Sequence, residues 1–155
     1  MGAGADFEES KRLSLQVLHS TFEKDRPIRA QCLDNLACIY GHMHLRTGMV
    51  QHLEEAIHFG REAVRAPMRS NTAQAASLER LALDLAKRHR AMGTMTDLEE
   101  AIEFARNALD NSPQAEDVRA QYLETLADLL HHRCEVKDFV EDIDEGVRLA
   151  QSPPK

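Results

Sequence analysis

Apolar residues along this chain fall three and four positions apart, the spacing that gathers them on one side of an α-helix. Leu33, Leu36, Ala37 and Tyr40 form one such stripe, and Leu53, Ala56, Ile57, Gly60, Ala63 and Val64 form the next. Stripes of this kind predict about seven helices, near 6–20, 27–46, 50–66, 72–91, 95–111, 115–134 and 139–151. Stop and start signals fall between them. Gly48 and Gly93 stand just past a helix end, where a left-handed residue is needed. Thr96 and Glu99 have the spacing of a capping box, and Ser112-Pro113 reads as an N-cap followed by proline. Asp25 ahead of Pro27 is a looser start signal.

The stripes repeat. Leu53, Leu98 and Ile143 stand 45 residues apart, and so do Leu33, Leu78 and Leu123. Leu36, Leu81 and Leu126 keep the same step, as do the alanine columns 30, 75, 120 and 37, 82, 127. Fixed-period self-similarity is the mark of a repeat architecture. Each unit holds a first-type helix followed by a second-type helix, giving units of about 27–66, 72–111 and 115–151 within a single domain, 1–155. Phe7, Leu15 and Leu18 make the opening segment, 6–20, a lone second-type helix. Small residues at 56, 101 and 146, and at 60, 105 and 150, leave room for helix axes to approach closely.

In these columns the chain resembles the tetratricopeptide-repeat (TPR) family. Leu33, Leu36, Ala37 and Tyr40 match the first helix of its hairpin, Ala56 and Ala63 match the second, and Pro113 follows a unit. Arg46-Thr47-Gly48 ahead of Leu53-Glu54-Glu55-Ala56-Ile57 looks like the long-unit variety. The resemblance covers residues about 6–151, with departures: a period of 45 rather than the usual 34, leucine for the aromatic of the first helix, Asp138 for the turn glycine and Gly146 for alanine in the third unit. It implies an all-α fold, an α-solenoid of stacked antiparallel helical hairpins in a TPR-like superhelix.

Composition narrows the partners. Aromatic residues are only 5% of the chain, so a core must be built from small aliphatic groups, which suits helix packing. A net charge of −7 disfavours nucleic acid and anionic membranes, both of which demand cations. No run of about 18 apolar residues and no signal-peptide pattern is found. Cys32, Cys38 and Cys134 include no CxxC pair and read as free thiols, so the expected location is cytoplasmic.

Eight histidines raise the question of metal. The pairs His42/His44 and His131/His132 diverge around a helix instead of sharing a face, although His44, His89 and Cys134 do share a column. The cations of Lys87-Arg88-His89-Arg90 and their counterparts instead sit where a helix dipole is negative, with acids opening the next helix. No nucleophile–base arrangement and no phosphate loop is present, so no enzyme activity and no cofactor are expected. One acidic column stands out: Asp34, Glu79 and Glu124, beside the repeated leucines. By the resemblance this face lines the concave groove, joined by Gln31, Gln121 and Asp128. The expected function is a protein–protein interaction scaffold whose groove takes a basic or polar segment of a protein or peptide. The alternative is self-assembly into homo-oligomers through the end helices, by Phe7, Leu15 and Leu18 at one end and Phe139, Ile143 and Val147 at the other.

Overall fold

The computed structural model describes residues 2–20, 25–112, 116–137 and 140–151. These form seven helices and no strand: α1 (Gly2–Ser20), α2 (Arg26–Thr47), α3 (Val50–Arg65), α4 (Asn71–Met92), α5 (Met95–Asn111), α6 (Glu116–Lys137) and α7 (Val140–Gln151). Each helix packs on the next in sequence, and the first-type helices also touch one another, α2 on α4 and α4 on α6. None of the described helices is long and apolar enough to cross a membrane.

The turns inside units have a shared construction. Gly48 and Gly93 take φ of 68° and 73°, and each donates its N–H to a histidine carbonyl, that of His44 or His89, at 2.7 Å. The same histidines then reach forward. Nδ1 of His44 donates to the Met49 carbonyl and Nδ1 of His89 to the Thr94 carbonyl, both at 2.9 Å. A carbonyl only accepts, so Nδ1 carries the proton in each ring. These histidines lock the turn between paired helices.

Start signals fared differently. Ser70 caps α4, its hydroxyl accepting from the Ala73 N–H at 3.1 Å. The capping box at Thr96 and Glu99 is not formed, because α5 begins at Met95 with Thr94 as N-cap. Asp97, in that first turn, instead accepts both nitrogens of an Arg88 fork at 2.7 and 2.8 Å. Ser112 is the C-cap of α5, its hydroxyl donating to the Leu109 carbonyl. Pro113 and Asp138 lie outside the described residues.

Leu53, Leu78, Leu81, Leu98 and Leu126 share one buried cluster. Leu33, Leu36, Leu53, Leu78, Leu81, Leu98 and Leu126 are all buried. First-type helices bury more than one stripe: α4 buries Ser77, Leu78, Glu79, Leu81, Ala82, Asp84, Leu85 and Ala86, almost its whole circumference, because helices flank it on several sides. The last unit is barer. Ala127 is half-buried and Ala120 exposed, where Ala82 and Ala75 are fully buried.

Polar ladders with the repeat's own register join the helices. Arg61 of α3 pairs with Glu100 of α5, and Arg106 of α5 with Glu145 of α7, both 39 residues apart. Near the start of each first-type helix a side chain ties down the end of the helix before it. Gln74 donates to the Val64 carbonyl at 2.9 Å, Arg119 to the Leu109 carbonyl at 3.2 Å, and Arg29 to the Leu18 carbonyl at 3.4 Å. Helix α1 is therefore seated on α2 much as α3 is seated on α4, in the place of a second-type helix.

Candidate interaction surface

Of the six residues assigned to a groove, Asp34 and Glu79 turn out to be engaged inside the protein. Asp34 is half-buried and accepts from the Ser77 hydroxyl and the Arg80 guanidinium of α4, each at 2.5 Å. Burial works against the charge of Arg80. The Asp34 carboxylate, helped by the charges of Cys38 and Asp84, more than offsets this, so the pKa of Arg80 lies above the ordinary arginine value. Glu79 is buried and accepts from Gln121 at 2.8 Å and Thr125 at 2.9 Å, both on α6. Burial pushes the neighbouring Tyr122 phenol up, and the Glu79 charge adds to the effect. The acidic column is thus first of all a seam, in which Asp34 and Glu79 each take hydrogen bonds from the next first-type helix.

The same seam explains a second buried acid that the sequence pattern did not flag. Asp84 occupies the register of Ile39 and Leu129 yet is 2% exposed. Lys87, one turn along, meets it at 2.8 Å, and Gly41 of α2 leaves space in front of its carboxylate.

Glu124 and Asp128 remain exposed, and they do line a groove. It runs between α4 and α6, has a volume of about 240 Å³, and sets Lys87 and Arg90 of α4 opposite Glu124 and Asp128 of α6. Leu83 stands at its wall, 41% exposed. Gln121 shares this groove while donating to Glu79. Gln31 is elsewhere, exposed on α2 and bonded to Asn35 at 3.2 Å. The structure therefore brings Glu79, Gln121, Glu124 and Asp128 together and leaves Asp34 and Gln31 apart. Lys87, Arg90 and Leu83 belong to the surface and were not assigned to it. The only hint in sequence was Leu83, a leucine off the buried stripe.

The charged helix ends are likewise more specific than a dipole interaction. Lys87 serves Asp84, Arg88 serves Asp97, and His89 serves the turn. The Asp97 fork holds the pKa of Arg88 above its ordinary value, against the opposing effect of its burial. His89 also packs edge-on against His132, centroids 5.2 Å apart. Among the described residues no three His, Cys, Asp or Glu side chains converge as metal ligands.

At the ends, Phe7 is half-buried, stacked on His42 at 5.8 Å with Arg46 over its ring. Leu15 and Leu18 are also half-buried, and Leu13 and Val17 of α1 are exposed. Val147 is exposed, whereas Phe139 and the side chain of Ile143 lie outside the described residues. No family model, curated protein or solved structure matches the chain.

Proposed function

We propose that the chain is a TPR-like α-solenoid that acts as a non-catalytic protein–protein interaction scaffold, holding a peptide segment of its partner across the α4–α6 groove. The observation that carries this reading is the exposed Leu83 sharing the α4 wall with Lys87 and Arg90, with Glu124 and Asp128 on the α6 wall. An apolar contact flanked by charges of both signs suits a polar segment with one apolar anchor, its cations facing Glu124 and Asp128. Charges of this kind at a rim act chiefly on encounter and register, with the apolar anchor supplying affinity. Support for a non-catalytic role comes from the acids and cations of the seam, which are engaged with one another. The half-buried and buried thiols, Cys32, Cys38 and Cys134, are free and fit a reducing, cytoplasmic setting.

A displayed library of random peptides selected against the chain tests this directly. Selected peptides should carry Lys or Arg beside an apolar residue. They should lose binding when Glu124→Lys and Asp128→Lys are combined, and when Leu83→Asp is introduced. A library that yields no binders, or binders indifferent to all three changes, would overturn the assignment.

A further inference from the structure

A second groove lies between α1 and α2, neither of which packs against α7. It has a volume of about 540 Å³ and is lined by Phe7 and Ser10 of α1 and by Asn35, Cys38, Ile39 and His42 of α2. We propose that it receives an amphipathic helix of a partner protein, one that places a carboxylate against Gln31 and Asn35.

The register of the repeat specifies that occupant. Asn35, Cys38, Ile39 and His42 stand two repeats before Thr125, Asp128, Leu129 and His132. Thr125, Asp128 and Leu129 line the groove against α4, and His132 packs on His89 of α4. Helix α2 therefore turns towards the groove the positions by which α6 receives α4. On α6 the donors to the incoming helix are Gln121 and Thr125, and both serve Glu79. On α2 those two positions hold Gln31 and Asn35, exposed amides with N–H groups to give.

The α1 wall carries the same message. Leu18 accepts from Arg29 as Val64 accepts from Gln74, so Leu13 and Val17 of α1 correspond to Phe59 and Ala63 of α3. Phe59 is stacked on Tyr40 of the first-type helix before it, at 5.6 Å, and Ala63 is fully buried. Leu13 and Val17 are 47% and 39% exposed, where Ala63 has no exposure. Exposed apolar positions equivalent to covered ones of α3 thus lie on the same helix as Phe7 and Ser10, which form the α1 wall of the groove.

The occupant is thus a helix with the face of α4: an acid, then apolar or small residues four and seven positions later, as in Glu79, Leu83 and Ala86. Asp6, at the Phe7–His42 end of the groove, adds a place for a Lys or Arg about a turn further on. This surface is independent of the α4–α6 groove.

The probe is a fluorescent 22-residue peptide with the sequence of Asn71–Met92, stapled on the face away from Glu79 to hold it helical. Titrated with the full chain, it should give saturable one-to-one binding and slow the alkylation of Cys38 in the groove. Loss of the charge-assisted hydrogen bonds should weaken it by about tenfold or more, both for Gln31→Ala with Asn35→Ala in the chain and for Glu79→Lys in the peptide. The exposed changes Leu13→Glu with Val17→Glu should abolish binding and leave the thermal melt in place. Glu124→Lys should have no effect. Absence of saturation overturns the proposal. So does binding that ignores Gln31 and Asn35, as it would if the peptide merely exchanged with α4. Light scattering that shows a dimer dissolved by Leu13→Glu would give the groove to a second copy, and overturn it equally.

Discussion

Glu79 accepts a hydrogen bond from Thr125 across the α4–α6 interface, 46 residues along the chain, the same step that separates Asp34 from its partner Arg80. A column of acids that reads as an open face is therefore a seam up to its last member. Glu124 is that last member, exposed in the groove with Asp128.

The two acids should consequently respond in different ways. Glu79→Ala leaves Gln121 and Thr125 without their acceptor and should cost about 1–3 kcal/mol in urea unfolding. Glu124→Ala, on the surface, should stay within about 0.5 kcal/mol of the parent. Equal losses for both changes would contradict the seam.

The Arg88–Asp97 fork ties α4 to the first turn of α5, with Asp97 3% exposed. Removing one partner of a buried pair leaves an uncompensated charge. Arg88 retains some access to water, so Asp97→Ala should destabilise by about 2–4 kcal/mol, somewhat under the full range for buried pairs. The surface pair Arg106–Glu145 offers the contrast, and Arg106→Ala should cost under about 1 kcal/mol.

Two glycines of equivalent helices should diverge as well. A Cβ at Gly60 would come within 3.2 Å of Leu81 Cδ1, in the core between α3 and α4. Gly60→Leu should cost about 1–3 kcal/mol or more through overpacking. Gly146, inside α7, has nothing within 4 Å of a new Cβ. Gly146→Ala should therefore stabilise by up to about 1 kcal/mol through helix propensity alone. Thermal melts of the two variants would settle the sign.

The turn glycines carry a backbone cost of their own. Gly93→Ala places a side chain at φ 73° and should lose about 1–2 kcal/mol, with Gly48→Ala alike. A melt unmoved by both changes would mean that the turn relaxes out of the left-handed region.

Burial pushes the Cys32 thiol above its ordinary pKa. At a given pH less of it is thiolate, so iodoacetamide should modify Cys32 more slowly than the half-buried Cys38 and Cys134. The sign for stability follows. The native state disfavours the Cys32 thiolate, so its contribution is present below the thiol pKa of the unfolded chain and declines as pH rises beyond it. Peptide mapping after timed alkylation would reveal the order.

Seven helices, their limits within a few residues and the 45-residue step were all legible in the sequence. Leu33, Leu53, Leu78 and Leu98 mark the buried side whatever the helices pack against, and Gly48 and Gly93 mark turns that only left-handed residues close. Such signals are local, carried by residues within two turns of one another. The functional reading of Asp34 and Glu79 was not local. A carboxylate on a helix is open to a ligand or engaged by a neighbour according to what stands some 45 residues away, and Ser77, Arg80, Gln121 and Thr125 were brought there by packing alone. The same holds for Asp84, which has the burial of a leucine and the charge of a surface residue, and is intelligible only beside Lys87 and Gly41. Periodicity determined the helices; which polar groups were left for a partner was decided when the helices met.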